Sequence, residues 1–442
     1  MSNKLYAGTA ELIISPPVGT ELVEPAGKVS TGIHDDLFCR VLLFEDKEKE
    51  YALVSMDLVG LDSLLVKNLR EKIQKKTGLS FRNVMLHCTH THNSPVTINY
   101  LRQNQFTRNR VWEGELGEKA IEAISIAKKN LLPVKEIGVG KGEVNIGVNR
   151  RLSTGKGVIM SPNPEGISDP SVEVLNIVRE KGTPIILFSH AAHPVSVHKA
   201  STLVTADYPG YAVRTIRSLL GEDAFPIFFQ GCCGNINSNP LASGFEEAER
   251  LGRILGGETV KVVRKMQNYS NKVTLKSYYR EVNLPLEDPP SPKEAENILH
   301  EVEEGVGVPA RFGKFHRQEM LLWVKELVKL AHEGNKDYSM PSEIQILVLG
   351  DEVILIGLSH ELFVDYQLRI KEHSFVSYTF VFGYTNVVSG YIPVPSDFSL
   401  GGYEVSEAPK WYGVLSPKLD AGEVLFGNVI DMLIQVKENG GK

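Results

Sequence analysis

Short, fully apolar runs that stop abruptly at polar, chemically able residues constrain this chain most. "VMLHCTHTH" (Val84 to His92), "IILFSHAAH" (Ile185 to His193), "IFFQGCCGN" (Ile227 to Asn235) and "VILIGLSHELF" (Val353 to Phe363) share that layout. Runs of this length, rich in β-branched and aromatic residues, read as buried strands. Val41–Phe44, Tyr51–Met56, Ile344–Leu349 and Thr379–Phe382 read the same way. Between the strands, apolar residues recur at three and four in Ser63–Lys76, Gly117–Leu131, Tyr208–Leu220, Phe245–Met266, Pro292–Glu304, Arg317–Ala331 and Gly422–Gln435, which predicts helices. Ser243 reads as the N-cap of the fourth, and Ser291-Pro292 opens the fifth with Pro at its first helical position. The alternation predicts an α/β fold: a mixed β-sheet core flanked by helices, with a site at the C-terminal ends of the strands.

The 442 residues are expected to form one domain. "LPLEDPPSPKE" (Leu284 to Glu294) is the strongest local break, and the charged, helical stretch after it reads as an insertion at about 287–341. A linker between two domains is the alternative. The net charge of −6 would repel phosphates, so no nucleic-acid partner is expected. The most basic cluster, "REKIQKK" (Arg70 to Lys76), reads as the solvated face of a helix. Cys39, Cys88, Cys232 and Cys233 form no CxxC pair, so reduced thiols and a cytoplasmic location are expected. The N-terminus has no apolar core of signal-peptide length, though a removed leader stays open. No apolar run reaches the roughly 18 residues a membrane span needs.

Seven of the twelve histidines lie just past three strand ends: His87, His90, His92, His190, His193, His198 and His360. In an extended segment His90 and His92, two apart, face the same side. Both imidazoles then reach one cavity, one as a ligand and one as an acid or base. A catalytic zinc takes about three protein ligands from His, Asp and Glu and keeps one position open. His193 and Glu361 complete such a set. For any single histidine the commoner reading is a hydrogen bond to a loop carbonyl; the clustering is what favours a metal. There is no HExxH and no metal motif of fixed spacing, so the residues alone reach a metallohydrolase and stop there.

At these residues the chain resembles the neutral/alkaline (non-lysosomal) ceramidases, zinc amidases that cleave N-acyl sphingosine. "AGTAELIISPP", "GIHDDLFCRVLLFED", "THTHNSP", "HAAHPVSV" with "TADYPGYA", "LSHELF", "GVNRR" and "NVVSGYIPVPSDFSLGGYEVS" resemble that family's segments in order, over nearly the whole chain. The resemblance implies one ceramidase-like catalytic domain holding Zn2+ with His90, His193, Glu361 and Tyr391 as ligands. It implies His92 as a catalytic group beside the metal and Tyr403, twelve residues past Tyr391, as donor to the substrate carbonyl or its oxyanion. Arg150 would position the substrate. The implied reaction is attack of metal-bound water on the amide bond of an N-acylated small molecule, a lipid in the family's case. His87, His190, His198 and His360 would be structural or would support the ligands. Asp57, at the end of "VSMD", orients a ligand or simply caps its loop.

One segment departs from the family. Its Gly-Asp-Val-Ser-Pro is here "GCCGNINSNP", with Asn235 for the aspartate, Asn237 at the serine position and Ser238 one residue displaced. A serine nucleophile there has no support, while Asn237 can still donate to a substrate. Gly231 and Gly234 suit a tight turn with a close approach. The family's C-terminal immunoglobulin-like domain has no counterpart in this sequence, so amide chemistry is the firmer expectation and a smaller N-acyl compound rivals ceramide. Two other readings stand: an ester, peptide or other acyl bond cleaved in the same site, and a metal- or lipid-binding homologue without catalysis. The acyl chain, the amine and the number of subunits stay open.

Overall fold

Three parallel strand pairs, each joined by one helix, organise the molecule. The computed structural model describes residues 4–24, 26–100, 108–271, 273–305 and 313–440. Glu50–Met56 pairs with Val84–Cys88 across helix Ser63–Thr77. Ile185–His190 pairs with Phe225–Gln230 across helix Asp207–Leu220. Val353–Leu358 pairs with Tyr378–Phe382 across helix Val364–His373. Parallel neighbours need such crossovers, and the crossover returns each chain so that paired strands end on one side.

The first two pairs are the ends of one nine-stranded mixed sheet. From Phe225–Gln230 it runs through Ile185–His190, Ser171–Arg179, Leu132–Glu143, Tyr6–Ile13, Phe38–Glu45 and Glu50–Met56 to Val84–Cys88, with Tyr269–Ser270 beside the fourth. The third pair belongs to a four-stranded sheet with Leu275–Pro285 and Ser339–Leu349. The two-residue period of the strands makes the layers. Leu42, Phe44, Leu53, Leu175, Ile177 and Leu187 point from the large sheet toward Leu347, Leu349, Leu355, Phe380 and Phe382 of the small one. The alternate residues Val41, Leu43 and Val54 pack on Leu65, Leu69, Leu116 and Ala120 of the outer helices. The large sheet also curls until its ends meet: Ser55 Oγ donates to the Phe228 carbonyl at 2.7 Å, and Gln230 N–H to His87 Nε2 at 2.9 Å. That closure carries the loop after Val84–Cys88 to the loop after Ile185–His190.

All eight strands and all seven helices expected from periodicity fall on strands and helices of the structure. The longer strands that periodicity misses are Tyr6–Ile13, Leu132–Glu143, Gly147–Thr154, Gly157–Asn163, Ser171–Arg179 and Leu275–Pro285. Several are half-exposed and carry glycine or charge in place of an apolar run, as in "LPVKEIGVGKGE". Helix Pro292–Glu304 opens as expected, with Ser291 and Glu294 forming a reciprocal capping box. Ser243 is not the N-cap of helix Phe245–Lys265: its hydroxyl donates to the Leu241 carbonyl, and Gly244, at φ 101°, takes that place because only glycine adopts it freely. Nor is all of "REKIQKK" solvated. Arg70 is buried, and its Nη1 donates to both carboxylate oxygens of Glu343 at 2.8 Å.

Helices Pro292–Glu304 and Gly313–Glu333 lie between two antiparallel partners, Leu275–Pro285 and Ser339–Leu349. The expected insertion covers this region, and its residues 306–312 lie outside the described residues. Among the described residues no helix is long and apolar enough to cross a membrane.

Candidate metal centre

His90 sits two residues past strand Val84–Cys88, in left-handed backbone at φ 68°. That conformation turns its ring into the interior, where its Nδ1 donates to the Val59 carbonyl at 2.5 Å. His193, three residues past Ile185–His190, donates through Nδ1 to the Cys233 carbonyl at 2.6 Å and the Ile236 carbonyl at 3.0 Å. A carbonyl only accepts, so both rings carry a proton on Nδ1, and in the neutral ring the lone pair is on Nε2. Both lone pairs meet Glu361. Its Oε2 lies 3.2 Å from His90 Nε2 and 3.1 Å from His193 Nε2, with all three side chains essentially inaccessible to solvent.

The imidazole nitrogens of His90, His92 and His193 lie within 4.8 Å of one another. His92 Nε2 is 3.3 Å from His90 Nε2, nearly as close as Glu361. Burial first, then His90, His198 and His193, drive the His92 pKa well below the ordinary value. Burial, with Arg150 adding, lowers His193 to about 3. With both Nδ1 atoms on carbonyls, the two Nε2 atoms and the Glu361 carboxylate converge on one enclosed spot. Two imidazole nitrogens and a carboxylate oxygen are the donor set of a zinc-type cation, with Nδ1–H bonds to carbonyls fixing the tautomer, so the residues fit a metal.

Glu361 lies on the short strand Glu361–Leu362, which pairs in parallel with Tyr391–Ile392, so Glu361 and Tyr391 are register partners. Tyr391 is buried, edge-to-face with Tyr403 at 5.8 Å and Tyr412 at 6.3 Å, beneath the Arg150 guanidinium at 5.4 Å. Burial and then Glu361 raise the Tyr391 phenol well above its ordinary value, and burial, then Tyr100 and Glu361, do the same for Tyr403.

Arg150 is not half of a surface pair. Strand Ile236–Ser238 pairs with Gly147–Thr154, and Arg150 N–H donates to the Asn235 carbonyl. Its side chain then enters the centre: Nε donates to Glu404 at 2.8 Å, Nη1 to Asn237 Oδ1 at 3.0 Å, and Nη1 lies 3.4 Å from His193 Nε2. Arg151 holds the other oxygen of Glu404 at 2.5 Å. The Asn237 oxygen is therefore engaged with Arg150, while its amide N–H2 can donate to a substrate. Ser238 Oγ faces Ser196 Oγ at 3.1 Å and the Val195 amide, away from the histidines. Asn235 accepts from Val364 N–H and donates to Asp365, pinning the start of helix Val364–His373. Gly234 lies so close under the Glu361 carbonyl that a Cβ there would sit 2.6 Å from it. Asp57 is the loop cap, taking Phe38 N–H and Arg40.

Two aromatic residues at the centre escape sequence reasoning. Tyr384 donates to Glu361 Oε2 at 3.3 Å and stacks on His90, centroids 4.0 Å apart. Tyr412 donates to the other oxygen, Glu361 Oε1. Tyr384 stands two residues past strand Tyr378–Phe382, so the strand-end rule that selects the histidines selects it too once phenols are counted. His90, His360, Tyr384 and Asn386 all have positive φ, between 52° and 74°. Such non-glycine residues cost of order 1–3 kcal/mol each and persist where surrounding structure fixes them. The other histidines bond outside the centre: His87 to Gln230, His190 to Ser171, and His360 to Pro341 and Ser389, with His198 3.8 Å from Glu24.

Comparison with known proteins follows the same lines. Residues 24–239 are matched by the family model described as neutral/alkaline non-lysosomal ceramidase, N-terminal. The crystal structure of neutral ceramidase from Pseudomonas aeruginosa matches at 19% identity over 99% of this chain and 75% of its own, with a TM-score of 0.73. A ceramidase complexed with C2 matches at 20% identity over 99% of this chain and 76% of its own, with a TM-score of 0.75. The family match contains His90, His92, Arg150, His193 and Asn237. Glu361, Tyr391 and Tyr403 lie beyond it, where the likeness is one of fold.

Proposed function

Residues 24–239 belong to the neutral/alkaline non-lysosomal ceramidase family, and from that premise we propose a zinc-dependent hydrolase that cleaves the amide bond of an N-acylated substrate. The observation that carries this reading is the convergence of His90 Nε2, His193 Nε2 and Glu361 Oε2 at 3.1–3.2 Å, with both Nδ1 protons committed to carbonyls. Three electron-pair donors buried face to face repel unless a cation lies between them.

When bound, such an ion supplies Lewis-acid polarisation of the carbonyl and activates a water near neutral pH. His90, His193 and Glu361 would hold it, with Tyr391 as fourth donor. Neutral His92, with one N–H and one lone pair, takes the proton of the attacking water and gives it to the departing amine nitrogen. Tyr403, whose phenol burial keeps protonated, donates to the carbonyl oxygen as negative charge grows there. Arg150, fixed by Glu404 and Asn237, adds positive charge on that side. The products are a carboxylic acid and a free amine, and the substrate class is ceramide-like or a smaller N-acyl amide.

The test is metal content together with turnover. Purified protein is expected to carry about one zinc per chain, to lose acid release from N-acylsphingosine or short N-acyl amines on chelation, and to regain it with zinc. Undiminished turnover after complete metal removal would overturn the reading. Turnover confined to esters or peptides would move the bond, and zinc-loaded protein inert to the whole panel would favour a binding protein.

A further inference from the structure

We infer that Cys233 and Tyr384 form a two-link positioning relay that sets Glu361 and His90 for the cation; the inference rests on the metal centre proposed above. Tyr384 is fully buried, and its backbone is left-handed at φ 52°, a conformation that bulky residues rarely adopt. Two backbone bonds hold it there: its N–H donates to the His360 carbonyl at 3.1 Å, and its carbonyl accepts from Cys88 N–H at 3.2 Å. It is thereby tied to the residue before Glu361 and to the strand leading to His90.

From that position the side chain does two things. The ring lies on the His90 imidazole at 4.0 Å and 28°, fixing that ring's plane. The hydroxyl lies 3.3 Å from Glu361 Oε2, the oxygen facing both histidines. An ionised carboxylate has no proton to offer, so the single phenol proton points at Glu361. The phenol oxygen is then an acceptor, and the group that reaches it is Cys233 Sγ, 3.1 Å away. The order is therefore Cys233 S–H to Tyr384 O–H to Glu361.

Cys233 also acts through its backbone, because its carbonyl takes the His193 Nδ1 proton at 2.6 Å. One cysteine thus orients His193 directly and Glu361 through a phenol. Its turn cannot drift, since the adjoining Gly234 is packed under the Glu361 and Leu362 carbonyls with no room for a Cβ. This gives the unusual "GCCGN" segment a use: the second cysteine supplies a donor deep in the fold where an ordinary hydroxyl residue would compete for local carbonyls.

Tyr384→Phe keeps the ring and removes only the hydroxyl. In the full chain, zinc affinity measured by competition with a chromophoric chelator at fixed pH is expected to fall about 10–100-fold, the usual consequence of losing a partner behind a metal ligand. The value of kcat should fall with it while KM stays nearly constant. A purely structural role would lower the melting temperature of zinc-free and zinc-loaded protein alike and leave the zinc Kd where it was, and that result would overturn the relay. Cys233→Ala keeps the backbone carbonyl and is expected to cost several-fold in zinc affinity, as a weak donor should. Combined with Tyr384→Phe it should add nothing, because the thiol works only through the phenol; additive losses would refute the order of the links. Cys232→Ala, next door and equally buried, should lower stability and leave zinc affinity unchanged. If Tyr384→Phe fails to fold, Cys233→Ala against Cys232→Ala decides the matter. Wild-type protein that takes up no zinc would sink the metal centre itself, a different result from unchanged affinity in the variants.

Discussion

Two buried polar clusters flank the Gly231–Gly234 turn, and they are built on opposite principles. Behind the turn, Lys371 Nζ lies between Asp169 at 2.8 Å and Glu173, with Ser171 Oγ at 3.1 Å. Gln367 joins it, donating to Asp169 at 2.7 Å and accepting from Cys232 N–H at 2.8 Å. There one ammonium donates to both anions that face it. In front of the turn, the Nε2 atoms of His90 and His193 and Glu361 Oε2 face one another, and around them the buried His92 Nδ1, His198 Nδ1, Asn93 Oδ1 and Thr89 Oγ1 find no partner among the described residues. Both clusters are enclosed; what differs is compensation. Buried polar groups are normally satisfied, so the cluster that is left short of partners is the one built for something that arrives. The complete cluster fastens helix Val364–His373 to strand Ser171–Arg179 and so supports the turn on which the incomplete one depends.

The contrast is broken most directly at Glu361. Glu361→Ala removes the charge that both histidines face, and zinc content and turnover should vanish together, a loss exceeding the roughly 10³-fold that follows removal of one oxyanion donor. Turnover surviving in the metal-free variant would mean that the front cluster is another structural network. His92→Ala comes next. It should keep about one zinc per chain and lose about 10²–10³ in kcat; loss of the metal instead would make His92 a ligand, a role its 3.3 Å distance from His90 Nε2 allows. Tyr403→Phe should cost about 10² in kcat with zinc content and melting temperature intact, as expected for one hydrogen-bond donor. An unchanged kcat would leave Tyr403 as a packing residue against Tyr391.

The two clusters were unequally legible in the sequence. The front one announces itself because histidines are rare and three strand ends carry them: His90, His92, His193 and Glu361 were reachable from that pattern, and they meet. The remaining members of the centre were not reachable this way. Arg150 looks like half of a surface pair until the short strand Ile236–Ser238 pulls it inward. Tyr384 and Tyr412 reach Glu361 from sites 23 and 51 residues along the chain, with no spacing that declares it. The back cluster was invisible. Asp169, Glu173 and Lys371 carry no local signal, since nothing in the sequence tells a buried salt bridge from an exposed one; only the pairing of distant elements does. The fold divides likewise: fully buried parallel strands are continuous apolar runs, whereas half-exposed ones such as Leu132–Glu143 hide among glycines and charges.

Lys371→Met gives the smallest effect on chemistry and completes the contrast from the other side. It leaves Asp169 and Glu173 buried without a cation, and breaking one partner of such a network typically costs about 3–5 kcal/mol, read by urea unfolding. Burial favours a neutral Asp169, but Lys371 outweighs it and holds the carboxyl below its ordinary value; burial likewise opposes a charged Lys371, and Glu173 and Asp169 outweigh it and raise the ammonium. A depressed carboxyl contributes stability that is present above its unfolded pKa, near 4, and lost as the pH falls through its folded value. A raised ammonium contributes stability that is present below its unfolded pKa, near 10, and lost as the pH rises through its folded value. The wild-type contribution is thus flat across neutral pH and fades in acid, and Lys371→Met should flatten the acid limb of the stability profile. The folded variant should bind zinc as wild type does, because the Lys371 ammonium bonds to Asp169, Ser171 and Glu173, behind the turn. A zinc Kd that moved with the stability would show the two clusters to be one network, and the division between a closed, structural set of charges and an open, receiving one would fail.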